Sequence, residues 1–211
     1  MTTTLLHIAA SPMGAASTSR RVATALLESQ AAAHPRDQIA TLDLWRVDLP
    51  ELDATFVAAQ NKILAGAEQT PAERDVWDRI VRAAETLKAA DKIVVSCPMW
   101  NFNIPYRLKH WFDVILQPGL TFAWTPEEGY RGLVTGRPVQ LVLSRAGEYT
   151  PPAPAAWMDH QTGYLEFLFR FMGFTDIRTL AVEPTMLQGP ERAAHGVHTA
   201  MAAAREAGIA L

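Results

Sequence analysis

The chain has 211 residues, 49% of them hydrophobic and 19% charged, with a formal net charge of −3. That length suits a single domain, residues 1–211, with a full core, and the near-balanced charge offers no basic stripe for nucleic acid or an anionic membrane. A single cysteine, Cys97, excludes an internal disulfide, and the lack of a leader or of an apolar run long enough to span a bilayer predicts a cytoplasmic protein.

Residues 3–10 form a continuous apolar run, the first predicted strand. A loop of small residues follows, carrying Ser11, Ser17, Thr18 and Ser19, with Ser17 placed as the N-cap of a helix to about residue 33. Residues 38–44 alternate as a second strand. From 45 to 70 the pattern is irregular, broken by Pro50 and Gly66, with a helical patch at 56–65. Pro71 starts a long helix to about residue 90, with Val76, Ile80, Ala83, Ala84 and Leu87 on one face.

The β-branched run at 93–97 reads as a buried parallel strand. It leads into Pro98-Met99-Trp100-Asn101-Phe102-Asn103, an aromatic and amide-rich loop, and Pro105 then opens a helix with Asn103 as its N-cap. Residues 117–137 are rich in glycine and proline, with a hairpin expected around 121–124. A fourth strand at 138–144 exits through Arg145-Ala146-Gly147-Glu148. A helix at 164–172 stops at Gly173, a fifth strand spans 176–182, and a closing helix spans 190–207 with Gly208 as its stop. This alternation predicts an α/β fold, a doubly wound five-stranded parallel sheet with helices on both faces.

In such a sheet the loops after strands one, three and four meet at the carboxyl edge, where open α/β sheets bind ligands. Hydroxyls beside a helix N-terminus cradle a phosphate, the helix end adding about 0.3–1 kcal/mol. The first loop lacks the Gly-Lys-Ser/Thr ending and the glycines of nucleotide fingerprints, which leaves a terminal monophosphate. An ordinary serine N-cap fits that loop equally well. In the second loop Trp100 and Phe102 offer flat apolar faces and Asn101 offers polar groups, suited to a planar ring with polar edges. Gly147 permits backbone conformations that other residues resist, so amides of the third loop can meet a ligand's edge. His195 and His198 lie three apart on the last helix without a third ligand, so no metal is expected. Cys97 reads as a packing thiol, Asp43 and Asp48 carry no acid–base pattern, and Arg20 and Arg21 fit a solvated helix face.

Residues 98–104, followed by Leu108-Lys109 and Phe112-Asp113, resemble the FMN-dependent NADH-azoreductases, which are also quinone reductases. Gly119-Leu120-Thr121-Phe122, Gly132-Leu133-Val134-Thr135-Gly136, Ser144-Arg145-Ala146-Gly147 and Gly173-Phe174-Thr175-Asp176 extend the resemblance over the whole chain. It implies a flavodoxin-like sheet of order 2-1-3-4-5 and a homodimer with FMN at each subunit boundary. Ser11, Ser17, Thr18 and Ser19 would take the FMN phosphate. Pro98, Met99, Trp100, Asn101 and Phe102 would hold the isoalloxazine, and Ser144, Arg145, Ala146 and Gly147 would meet its far edge. Thr18 stands where the family often has Gln, Trp100 where Tyr is usual, and Ala146 where Gly is common, which puts the substrate range in question.

The implied reaction is a two-step transfer. NADH or NADPH reduces FMN and leaves, and a quinone or azo dye then stacks on the same face. No side chain is nominated as a catalytic residue. Trp124 and Phe171 are candidates for an apolar lid, from the same or from different subunits; core packing is the alternative for both, and fits Phe171 at least as well. The alternatives are an NAD(P)H:flavin reductase and a non-enzymatic flavodoxin-like carrier or sensor. The excursions at 45–70 and 117–137 are surplus in a carrier and fit a pocket wall and a dimer contact.

Overall fold

The computed structural model describes residues 3–211. Its elements in chain order are β1 (Thr4–Ala9), α1 (Thr18–Ala33), β2 (Gln38–Asp43), α2 (Ala54–Ala65), α3 (Pro71–Lys88), β3 (Lys92–Pro98), α4 (Tyr106–Ile115), β4 (Phe122–Thr125), β5 (Gly129–Gly132), β6 (Pro138–Ser144), α5 (Thr162–Met172), β7 (Asp176–Val182) and α6 (Pro190–Ile209). Five strands form a parallel sheet in the order β2-β1-β3-β6-β7, and β4 and β5 form a separate antiparallel hairpin. With the hairpin set aside, this is the expected 2-1-3-4-5 order.

Side chains alternate across each strand, and two cores result. Leu6, Ile8, Ile93, Val95, Leu141 and Leu143 face Ile80 of α3, Leu108 and Phe112 of α4, and Phe169 of α5. On the opposite face Leu5, Val94 and Val142 pack against Val22 and Leu26 of α1 and Ala200 and Ala204 of α6. Full burial of each Leu, Ile, Val or Phe side chain among them contributes about 1.5–3 kcal/mol.

Several helix ends match the sequence signals. Ser17 caps α1, accepting the Arg20 N–H, and Thr70 and Glu73 form a reciprocal capping box ahead of Pro71. Gly173, at φ 108°, closes α5, and the next N–H, from Phe174, reaches back to the Phe169 carbonyl.

Three local expectations are corrected. Asn103 does not cap α4: its side-chain oxygen accepts the Ile104 N–H at 2.7 Å, and Pro105 precedes the helix without a side-chain cap. The hairpin strands are Phe122–Thr125 and Gly129–Gly132, so the reversal falls at 126–128, beyond 121–124. Gly208 does not stop α6, which continues to Ile209. A Cβ at Gly208 would lie 2.2 Å from the Leu26 carbonyl oxygen, so the glycine is what lets α6 approach α1.

Candidate functional site

Parallel pairing places the carboxyl ends of β1, β3 and β6 side by side, with Ala9 opposite Ser96 and Pro98 opposite Ser144. Hydrogen bonds continue past the strand ends. Ala10 N–H donates to Ser96 O at 2.9 Å, Met99 N–H to Ser144 O at 2.8 Å, and Arg145 N–H to Val182 O at 3.0 Å. The three predicted loops therefore leave one rim.

In the first loop Ser11, Ser17 and Ser19 are buried and Thr18 is half-buried. Ser11 Oγ accepts the Met13 N–H, and Ser17 Oγ lies 3.1 Å from Ser19 Oγ. The N–H groups of Thr18 and Ser19, in the first turn of α1, have no partner among the described residues. Free amides and hydroxyls at a helix N-terminus form an anion cradle. Arg20, one residue on, pairs with Asp43 at 3.0 Å instead of facing open solvent. Below this loop His7 is buried on β1, its Nε2 2.9 Å from Ser96 Oγ. Burial, reinforced by the Arg20 charge and opposed by Asp43, lowers its pKa to about 4, which keeps the imidazole neutral at pH 7.

The second loop reverses in two residues. Trp100 N–H donates to Asn103 O at 2.8 Å and Asn103 N–H to Trp100 O at 3.0 Å, which leaves Asn101 (φ 46°) and Phe102 (φ 68°) left-handed. Neither is glycine, and a bulky residue in this region is strained. The N–H groups of Asn101 and Phe102 have no partner among the described residues. Trp100 is 38% exposed and Phe102 44%, so both aromatic faces remain available outside the core. A groove of about 440 Å³ flanks the loop, lined by Trp100, Asn101, Asn103, Tyr106, Lys109 and Tyr164.

The third loop keeps only its backbone at the rim for Arg145. That side chain, 1% exposed, turns inward to Asp159 at 3.0 Å and Glu183 at 3.2 Å, with further bonds to Gln161 and the Thr162 hydroxyl. Glu183 also accepts the N–H groups of Tyr149 and Thr150. Arg145 thus anchors the loop that follows it. The N–H groups of Ala146 and Gly147 have no partner among the described residues. Cys97 sits beneath this loop, where burial raises its thiol pKa to about 12, a value that leaves no nucleophilic thiolate at pH 7.

A single chain does not bring Trp124 and Phe171 to this rim. Phe171 lies in the last turn of α5, which runs from Thr162 beside Arg145 down to the amino ends of β6 and β7. There it packs against Phe122 at 4.9 Å and Tyr130 at 5.4 Å, and Trp124 sits across the hairpin from Tyr130, 56% exposed. Four rim residues were not anticipated as site neighbours. Trp45 and Tyr106 contact Trp100, Tyr149 contacts Phe102, and His160 N–H donates to Phe102 O at 3.1 Å. Only the aromatic side chains of Trp45, in the irregular segment after β2, and of Tyr106, just after Pro105, hinted at a role.

A doubly wound parallel sheet with an anion cradle after β1 and an aromatic ledge after β3 defines a flavodoxin-like protein. A family model described as flavodoxin-like fold matches residues 3–207. The FMN-dependent NADH:quinone oxidoreductase of Nitratidesulfovibrio vulgaris is 46% identical over 190 residues, 90% of each chain. That of Desulfotalea psychrophila is 43% identical over 188 residues, 89% of this chain and 88% of the relative. An azoreductase structure from Bacillus anthracis superposes with a TM-score of 0.90 at 28% identity, covering 99% of this chain and 100% of that one. An FMN-dependent NADH-azoreductase from the same species, solved in complex with FMN, gives 0.87 at 27% identity, covering 99% and 98%. The chain belongs to this flavodoxin-like family, among the FMN-dependent NADH:quinone oxidoreductases.

No helix among the described residues is long and apolar enough to cross a membrane, and no cluster of three or more His, Cys, Asp or Glu there is arranged to hold a metal.

Proposed function

We propose that this chain is an FMN-dependent oxidoreductase that passes hydride from a reduced nicotinamide to quinones and azo compounds in two alternating steps. The observation that carries the reading is the shared rim: an unpartnered anion cradle at Thr18–Ser19 lies one strand away from the exposed aromatic faces of Trp100 and Phe102. A monophosphate joined to a flat ring matches that pairing, and the partnerless donors and open aromatic faces fit FMN.

Bound there, FMN supplies a ring that accepts hydride from the nicotinamide and yields it to the acceptor. The chain's own part is position and field. Ser11, Ser17, Thr18 and Ser19 hold the phosphate through hydroxyls and first-turn amides. Met99, Trp100, Asn101 and Phe102 hold the ring face, and the N–H groups of Asn101 and Phe102 offer donors to negative charge that builds on reduction. Ala146 and Gly147 present further donors at the far edge. Pro98 ends the strand that carries the ledge. No side chain is assigned as a proton relay in this reading, because the hydride chemistry belongs to the cofactor.

Trp124 and Phe171 sit at the opposite end of their own sheet, so in this reading they close the site of a second copy. The homodimer is thereby part of the proposal. The reading takes either NADH or NADPH as the hydride donor.

The test is direct. The purified protein should retain a yellow flavin through gel filtration, bleach under anaerobic NADH, and recover its colour on adding a quinone. Steady-state rates against both substrates should give parallel double-reciprocal lines. Intersecting lines would remove the two-step scheme, a colourless protein without FMN affinity would remove the flavin reading, and reduction with loss of the flavin to solution would point to a flavin reductase.

A further inference from the structure

We infer that Trp45 is a positioning residue of the flavin site: its indole ties the ring-contact loop at Trp100 to the phosphate loop at Ala10. This rests on the flavin reading above and extends it to a side chain in the irregular segment after β2.

Trp45 is fixed at two points. Its backbone N–H donates to Asp43 Oδ1 at 3.1 Å, and its indole N–H donates to Ala10 O at 3.0 Å. Ala10 immediately precedes Ser11 and is itself bonded to Ser96 of β3. The carbonyl that anchors the indole is thus part of the sheet, and the ring plane is set by it. The turn bearing Trp45 is held from the other side by Arg107 of α4, which donates to Leu44 O at 2.7 Å and Val47 O at 2.8 Å.

The fixed ring meets Trp100 with centroids 5.9 Å apart and planes tilted by 52°, and meets Tyr106 edge-on at 5.4 Å. Trp100 and Tyr106 are 6.4 Å apart, which closes a three-ring cluster. Such tilted and edge-to-face pairs are favourable and directional. Trp100 begins the turn in which Asn101 and Phe102 are held left-handed. A strained turn persists only when its surroundings over-determine it, and the Trp45 ring is one of those surroundings. Removing it frees Trp100 to change rotamer and lets the ledge depart from the geometry that presents the ring face and the Asn101 and Phe102 amides.

The experiment is a cycle of Trp45→Leu, Trp100→Leu and the double variant, with Trp45→Phe beside it. FMN and riboflavin affinities are read by flavin fluorescence. The Trp45–Trp100 exciton couplet is read by circular dichroism on the flavin-free chain, with thermal melts as a fold control. Trp45→Leu should weaken FMN and riboflavin alike by about tenfold, because the ring contacts are disturbed and the phosphate cradle is not. The couplet should vanish in either single variant. Trp45→Leu should cost nothing further in the Trp100→Leu background, and Trp45→Phe, which keeps a ring but loses the bond to Ala10 O, should recover only part of the affinity. Unchanged FMN affinity in a folded Trp45→Leu, or fully additive losses in the double variant, would overturn the assignment. If Trp45→Leu does not fold, Trp45→Phe takes its place, and additive losses with Trp100→Leu overturn it equally. A wild-type chain that binds no FMN overturns the flavin reading and this assignment together, while the couplet still reports whether the two indoles are paired.

Discussion

Met99 donates its backbone N–H to the Ser144 carbonyl at 2.8 Å, one residue past the last paired position of β3. Through this bond the loop after β3 and the loop after β6 begin as one ledge, an extension of the β3–β6 ladder. The reversal at Asn101 and Phe102 therefore starts from a rigid base, and its strain is carried by the sheet and by the aromatic side chains around it.

The strain predicts a conflict between stability and binding at Phe102. A glycine adopts a φ of 68° without the penalty a bulky side chain meets, a difference of about 1 kcal/mol. Phe102→Gly should leave the flavin-free protein as stable as the parent or slightly more so, while FMN affinity falls several-fold with the loss of the exposed ring. Urea unfolding and a flavin titration measure the two effects. A variant that loses stability by more than about 1 kcal/mol would show that the Phe102–Tyr149 contact, at 6.3 Å, outweighs the strain.

Ser17 caps α1 and, in the proposed reading, also holds the phosphate, and one substitution can separate the two roles. Ser17→Ala removes the cap on Arg20 N–H, which should cost about 1 kcal/mol of stability. It also removes a buried hydroxyl from the anion cradle, so FMN affinity should fall by about tenfold, the loss of one charge-assisted bond. Riboflavin, which lacks the phosphate, should bind the variant and the parent alike. Equal losses for both ligands would move the phosphate elsewhere.

Arg145 predicts the largest stability effect near the rim. It is 1% exposed between Asp159 and Glu183, and its removal leaves two carboxylates short of their cation. Arg145→Ala should cost about 3–5 kcal/mol in urea unfolding. Arg145→Lys should recover only part of that, because an ammonium cannot reproduce the fork that reaches Asp159, Glu183, Gln161 and Thr162 together. A wild-type-like Arg145→Lys would mean that the charge alone suffices.

These contacts mark the boundary of what the sequence discloses. β7 is found at the residues expected, Asp176–Val182, because a short segment that mixes polar residues with Ile177, Leu180 and Val182, set between a helix-stopping glycine and a following loop, has few alternatives. Ser17 and Gly173 were legible for a similar reason: local caps are written in local sequence. Gly208 was misread because a glycine that ends a helix and one that admits a neighbouring helix look the same until α1 is in place. Asn103 does not cap α4 because its side-chain oxygen is taken by the neighbouring Ile104 N–H, and Pro105 stands at the cap position instead. The loops could be assigned to one rim from strand order alone. The inward turn of Arg145 and the contact of Trp45 with Trp100 could not, since each joins segments more than ten residues apart through tertiary packing.

His7 should make the protein sensitive to mild acid. Its folded pKa, lowered to about 4 by burial and by Arg20, lies below the ordinary value of 6.5, so the unfolded chain binds a proton at His7 between those values and the folded chain does not. The stability associated with neutral His7 is therefore complete above pH 6.5 and declines as pH falls toward 4, by about 2 kcal/mol at pH 5 and about 3 kcal/mol in full. Glu73 acts in a lower window: bonds from Lys62 and the Thr70 N–H hold its carboxyl at about 2, so its contribution is lost only as pH falls below the ordinary 4.5 toward that value. Urea unfolding between pH 7.5 and 4.5 thus isolates the histidine. His7→Asn keeps a polar group against Ser96 but cannot titrate, so its stability, though lower at pH 7.5, should change much less over that range. Parallel profiles for parent and variant would show that His7 protonation does not govern the acid response.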